Sequence, residues 1–296
     1  MKKLYTLLAL TISFSMNAQM SDNSANNNSA GSNAVAMGDS TIASGTAATA
    51  MGLYTIASGS SSTAMGAFTE ASISYSTAMG RNTTAIATSS TAMGRGTTAS
   101  GEESTAMGRS TTASGSRSTS MGGYTTASDF ASLVIGQYNS SGSSVTNSAT
   151  VFNTANTAFV IGNGTNSSNK SDAFKVMFNG DTTVSNDLTV SGDVVISSDA
   201  RLKSNIVSLG STLPKLLQID GKSYEMKGKQ KIGVLAQEIQ EVFPELVSED
   251  DNEMLAVNYQ GLVPVLINAL KEQDKIIKSQ EARLTDIENL IAKLND

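Results

Sequence analysis

The chain has 296 residues, with 20 basic and 26 acidic side chains, no cysteine and no histidine. A formal net charge of -6 and an isoelectric point near 4.8 offer no basic footprint for nucleic acid or an anionic membrane, and without Cys or His the usual zinc, haem and iron-sulfur ligands are missing, as are Cys nucleophiles and any His-based triad. With 5% aromatic residues there is too little bulk for one large core, and neither a cofactor nor a metal is expected.

Lys2 and Lys3 precede an apolar run from Leu4 to Phe14, followed by small and polar residues to Ala18 and Gln19. This reads as a secretory signal peptide over residues 1–19. The rival, a membrane anchor, needs about 20 apolar residues. The product is therefore expected to be exported, at the cell surface or outside the cell, with no integral membrane span once the signal is removed. Residues 20–33 are rich in Asn and Ser with no apolar period and read as a flexible lead-in.

A strict period follows over 34–145. Met37-Gly38, Met51-Gly52, Met65-Gly66, Met79-Gly80, Met93-Gly94, Met107-Gly108 and Met121-Gly122 recur every fourteen residues, and Ile135-Gly136 keeps the phase. Two short β-prone runs per unit, each closed by a Gly or small-residue corner, are the arithmetic of a narrow β-solenoid of eight repeats. Within a run Thr63 and Met65 face one way and Ala64 the other, leaving one thin buried row per coil. So thin a core favours several copies packed about an axis, a homo-oligomer. A disordered Ser/Thr-rich linker is the alternative, but disorder does not need Met and Gly in register. At the second corner Ile73, Ala87, Asp129 and Ser143 replace the Gly of Gly45, Gly59, Gly101 and Gly115, so local distortion is expected there.

The unit resembles the head repeat of YadA-type trimeric autotransporter adhesins, with Val134-Ile135-Gly136 nearest that consensus. The resemblance implies a trimeric left-handed parallel β-roll with an adhesive or structural surface, and a host-surface or glycan ligand for the head. Such adhesins end in an outer-membrane barrel, and no run of alternating strands suited to one appears at this C-terminus.

Over 146–197 the period is lost. Ala158 to Gly162 echoes the repeat, Phe174 to Phe178 runs into an Asn179-Gly180 turn and Thr182-Thr183-Val184, a hairpin signal, and Leu188-Thr189-Val190 and Val194-Val195-Ile196 look like further strands. We read a β-rich neck, a trimeric β-prism, with a monomeric β-domain as the alternative. More than half of all charged residues lie from Ser198 onward, so a domain boundary falls there.

Residues 198–260 have the texture of a small α+β domain. A short helix over Ser211 to Leu217, a strand over Lys222 to Met226, a buried strand over Lys231 to Ala236 entering a helix over Gln237 to Phe243 that Pro244 stops, an acidic loop from Glu249 to Glu253 and a strand over Leu255 to Val257 are expected, with Asn258 as a helix cap. Gly221-Lys222-Ser223 is no phosphate loop, because Leu216 stands where its first Gly belongs. Over 261–296 a long helix places Val263, Leu266, Leu270, Ile277, Leu284, Ile287, Ile291 and Leu294 on a heptad seam, with Gln273 and Gln280 at d positions. Mixed Ile and Leu along the seam favour a three-stranded coiled coil; a helix packed on its own domain is the alternative.

This module resembles the peptidase S74 intramolecular chaperone of endosialidases and phage tail spikes. The matching residues are Ser198-Asp199-Ala200-Arg201-Leu202-Lys203-Ser204-Asn205-Ile206, Ile232 to Glu238, Val242 to Val247, Val257-Asn258-Tyr259 and Ala269 to Glu272. In that family the domain trimerises, assembles the β-rich part before it, and cuts itself off. The resemblance implies that Ser198 attacks the carbonyl of Ser197, that Lys203 accepts the hydroxyl proton, and that the Ser197–Ser198 bond breaks, with Asp199 and Arg201 holding the loop and Arg201 open to a carboxylate of a neighbouring subunit. Five residues of spacing carry no such specificity alone. With His absent, a Ser nucleophile needs a base, and a Lys serves when burial favours its neutral form.

The expected whole is an exported homotrimeric fibre whose C-terminal module assembles it and then acts as a single-turnover Ser/Lys autopeptidase. A fibre with a permanent, uncut trimeriser and a glycan-processing spike are the rivals. No carboxylate pair in the repeats suits the latter.

Overall fold

A computed structural model describes residues 27–249 and 253–295; the expected signal peptide, and Asp250 to Asn252 of the acidic loop, lie outside them. The chain divides into two compact units between Asp193 and Val194. Among the described residues no helix is long and apolar enough to cross a membrane.

The first unit is a β-solenoid. Eight long strands, from Val35–Asp39 and Thr49–Leu53 through to Thr119–Gly123 and Leu133–Gln137, stack in parallel. Each of the first seven pairs with the strand fourteen residues further on, so Met37 lies beside Met51 and Gly94 beside Gly108. Seven two-residue strands, Ile42–Ala43 to Thr126–Ala127, make the second wall. The strand alternation decides what is inside: Ala36, Ala50, Ala64, Ala78, Ala92 and Ala106 are fully buried, with Ala43, Ala57 and their equivalents opposite, while Thr and Met of the same strands point out. A buried Thr row, Thr41 to Thr125, completes the interior.

Small residues are obligatory because the coils are in near contact. A Cβ on Gly94 would lie 2.1 Å from the Gly108 carbonyl oxygen, and its φ of +119° is one that L side chains avoid. The last strand of the short-strand wall is closed by an asparagine amide: Asn139 takes both backbone groups of Thr126, accepting from its N–H and donating to its carbonyl at 2.8 Å each. This amide replaces the ladder partner that a next coil would supply. At the first strand the Asn28 backbone continues the ladder, donating to the Thr41 carbonyl and accepting from the Ala43 N–H, and Asn27 Oδ1 accepts from the Thr41 N–H at 3.0 Å.

After Gln137 the chain leaves the stack and returns as Thr157–Asn163, which pairs in parallel with Leu133–Gln137 and restores the phase, Ile161 beside Ile135. The departure from Gly at position 129 has its reason here. The Asp129 carboxylate is fully buried and accepts from the Thr146 and Thr157 N–H groups at 2.6 and 2.8 Å, which anchors the excursion. The expected hairpin forms: Asp172–Met177 runs antiparallel to Thr157–Asn163, and Thr182–Val184 folds back on it through Asn179-Gly180.

Two expected strands do not form. Leu188 to Val190 and Val194 to Ile196 join no ladder, and Leu188 and Val195 are 71% and 87% exposed. Among the described residues no strand pairs with them to complete their hydrogen bonds.

In the second unit, Lys222–Met226 and Lys229–Gly233 form an antiparallel hairpin about Lys227-Gly228, and Val247–Glu249 pairs with Leu255–Val257. Helices span Leu213–Leu216, Ala236–Val242 and Leu262–Asn295. Ile239, Phe243 and Val265 form the core, ringed by Leu216, Ile219, Val234, Val242, Leu246, Val247, Val257 and Leu262. The expectation of a buried strand at Lys231 to Ala236 needs correction. The strand ends at Gly233 and Ile232 is 86% exposed, because a two-stranded hairpin has an open face.

The 34-residue helix Leu262–Asn295 meets this core through Val265 and Ala269. Its heptad positions Val263, Leu266, Leu270, Ile277, Leu284, Ile287, Ile291 and Leu294 are all exposed. One face thus docks on its own module and a different apolar seam stays open.

Candidate functional site

The segment from Ser198 to Lys203 is built on a single 3-10 turn, Ala200–Leu202. Asp199 caps it: its Oδ1 accepts from the Arg201 N–H at 2.8 Å, as an N-cap side chain does. Main-chain bonds from Leu202 to the Asp199 carbonyl and from Lys203 to the Ala200 carbonyl, both 3.1 Å, complete the turn. The guanidinium of Arg201 then folds back on the same carboxylate, Nη2 at 2.6 Å from Oδ2 and Nε at 3.1 Å from both oxygens. The Arg201 side chain, and after it the Arg201 N–H, hold the Asp199 carboxyl below the usual carboxylate range, and Asp199 raises Arg201 in turn. Within one chain, Arg201 therefore spends its fork on Asp199.

The turn brings the two ends of the segment together. Lys203 Nζ donates to Ser198 Oγ at 2.7 Å, within the reach required of a nucleophile and its base. Both side chains are exposed in the single chain, as are Ser197, Asp199 and Arg201. The five residues singled out in the sequence are thus neighbours along one short loop, and Ser198 with Lys203 is the pair in direct contact.

Sequence reading missed what anchors the chain just after this loop. Glu272, on the long helix, accepts from Ser211 Oγ at 2.7 Å and from the Thr212 and Leu213 N–H groups. Ser211 Oγ and the Thr212 N–H are the main causes that hold its carboxyl below the ordinary range. Thr212 Oγ1 donates to the Val265 carbonyl at 2.9 Å. Between 53 and 61 residues separate these partners, so no local pattern announces them. Other motif residues also acquire roles. Asn258 accepts from the Gly261 N–H, capping the turn before the long helix rather than the helix itself, and Tyr259 Oη accepts from the Val234 N–H at 3.1 Å. Among the described residues no three Asp or Glu side chains gather as a metal site.

Comparison with known proteins gives two family matches along the chain. The family described as chaperone of endosialidase, peptidase S74, matches residues 198–248. The YadA head domain repeat matches residues 29–55, 57–83, 85–111 and 99–125. The long tail fiber proteins Gp37 of Enterobacteria phages K3 and T2 are each 33% identical over 95 residues, 28% of this chain. The chain spans only 8% and 7% of the length of those two curated relatives. The protein thus carries, in one chain, a segment similar to YadA head repeats, over 29–125, and a segment similar to the chaperone of endosialidase, over 198–248.

Proposed function

We propose that the protein is an exported, adhesin-like fibre that assembles as a homotrimer, and that its C-terminal module drives assembly and then cuts itself off between Ser197 and Ser198. The contact between Lys203 Nζ and Ser198 Oγ carries the cleavage reading. Ser198 Oγ attacks the Ser197 carbonyl carbon while Lys203 takes the hydroxyl proton. The C–N bond breaks as the amide nitrogen is protonated to the new α-amine of Ser198, leaving Ser197 esterified to Ser198 Oγ. Water hydrolyses that ester to a Ser197 carboxylate and restores the hydroxyl. Accepting the proton requires an uncharged amine, which desolvation favours. Lys203 is exposed in the single chain, so the reaction is timed to follow assembly, when a neighbouring copy covers the loop.

Trimerisation is supported by apolar surface that one chain leaves open. The outward Met row of the solenoid, from Met37 to Met121, repeats in strand register, and the seam of the long helix is exposed along its length. Burying each seam Leu or Ile contributes about 1.5–3 kcal/mol, and mixed Ile and Leu at a and d suit three strands. A clamp of this kind raises the local concentration of β segments whose non-local pairing is slow. The exposure of Ser198 and Lys203 also favours a second reading, a permanent trimeriser that is never cut.

Expression of residues 20–296, with N-terminal sequencing of any small fragment, separates the two. Cleavage should begin at Ser198 and vanish in Ser198→Ala and Lys203→Ala. An intact wild-type chain, or equal cleavage in both variants, refutes the autopeptidase, and a monomer by light scattering refutes the trimer.

A further inference from the structure

One corner of the solenoid carries an ordered line of side chains that neither folding nor the self-cutting module uses. Because the coils stack in register, the last residue of each long strand and the corner residue after it form two adjacent rows along the rod. Over seven successive coils these rows present Tyr54, Phe68, Arg81, Arg95, Arg109, Tyr124 and Tyr138 in that order. Tyr54 stacks on Phe68 with centroids 5.3 Å apart and planes at 10°, and Tyr124 on Tyr138 at 4.6 Å and 6°. The Arg109 guanidinium lies 5.3 Å from the Tyr124 ring centroid, joining the cationic segment to the second aromatic pair.

Three observations set this line apart from corner chemistry. The corner positions are left-handed, with φ of 52°, 57°, 57° and 44° at Tyr54, Phe68, Tyr124 and Tyr138. That conformation suits Gly or Asn and is strained for bulky residues, and the intervening coils do use Asn82 and Gly96 there. The rings are not core, since Tyr54 and Phe68 are about half exposed. The three arginines stand on consecutive coils about 4.8 Å apart, an uncompensated row of like charge. None of them makes an ion pair among the described residues. Asp39, the acid of the same row, sits at the first coil and accepts from Ser40 Oγ at 3.0 Å.

We infer that this corner binds an extended anionic polysaccharide, with the arginines on its carboxylates or sulfates and the aromatic pairs at either end under the apolar faces of its sugar rings. The inference deepens the adhesive reading of the head and is independent of cleavage. Guanidinium forks match carboxylate and sulfate oxygens, ring faces offer flat contact at little entropic cost, and the line runs for about 29 Å along the rod. The small Asn82, Gly96 and Ser110 flank the arginines.

The test is titration calorimetry with the full chain at low salt, against a heparin dodecasaccharide, oligogalacturonate, a neutral cello-oligosaccharide and inorganic polyphosphate. Binding of the two anionic sugars is expected, weakening as salt rises, with none of the neutral one. Arg81→Gln/Arg95→Gln/Arg109→Gln should weaken it about tenfold or more, and Tyr54→Ala/Phe68→Ala should weaken sugar but not polyphosphate. The single variant Arg95→Gln, with an unchanged melting temperature, serves should the triple variant fold poorly. Unaltered binding by the arginine variants, equal loss of sugar and polyphosphate in the aromatic variant, or no binding of either anionic sugar overturns the inference. Light scattering on the same samples reports the trimer separately, so failure of assembly and failure of the site are distinguished.

Discussion

Gly94→Ala should damage the solenoid far more than Gly96→Ala, two residues away. At Gly94 the added Cβ would sit 2.1 Å from the Gly108 carbonyl oxygen, and φ is +119°; at Gly96 the nearest atom is Ser110 Oγ at 3.5 Å, and φ is +66°. The strained backbone at Gly94 costs about 1–3 kcal/mol. The overlap cannot be relieved without parting the coils by about 1 Å, which breaks ladder bonds between Thr91–Arg95 and Thr105–Arg109. Two or three such bonds add about 2–3 kcal/mol. Gly96→Ala should cost only about 1–2 kcal/mol for the left-handed corner, since Asn82 and Ser110 occupy the equivalent positions with φ of 53°. The expected difference of roughly 3 kcal/mol per chain is readable from denaturant midpoints followed by circular dichroism. Equal midpoints for the two variants would refute the claim that close approach between coils, rather than corner conformation, is what Gly94 provides.

Thr97→Val should raise the unfolding free energy, and with it the midpoint, by about 1 kcal/mol, because Thr97 Oγ1 is buried with no hydrogen-bond partner among the described residues, whereas Thr125→Val should lower it, since Thr125 Oγ1 bonds to Ser120 Oγ at 2.8 Å. A gain in neither or a gain in both refutes this account of the Thr row. The depressed Glu272 carboxyl contributes stability that is present above its unfolded-state value and is lost as pH falls through the folded one. Acidification into that range should therefore loosen the link from Thr212 to the long helix, seen as faster amide exchange at Thr212 and Leu213. Glu272→Gln should show fast exchange there at neutral pH and little further change with acid; retained protection would count against the staple.

The solenoid was legible because its information is local and repeated: a fixed fourteen-residue phase, Gly at close approaches, and Ala alternating with Met. The hairpin at Asn179-Gly180 was legible for the same reason, since a two-residue turn encodes its own geometry. The excursion between Gln137 and Thr157 was not. Its anchor, Asp129, showed only as a missing Gly, and the carboxylate's partners lie 17 and 28 residues away. Ile232 misled because an apolar run signals burial without saying whether a second layer exists. At the candidate site, the Ser198 and Lys203 spacing allowed contact, but the turn that produces it depends on Asp199 folding onto Arg201. The Glu272 staple joins segments about 60 residues apart, so no local pattern encodes it.

The asparagine closure has a consequence for how such a rod changes over generations. Since Asn139 satisfies the backbone of whichever short strand lies beside it, and the interior coils pair in one repeated register, the number of coils is not written into any single contact. Removal or duplication of an interior fourteen-residue unit leaves that closure intact and alters length in steps of about 4.8 Å. Reach becomes a copy number, adjustable without a new fold.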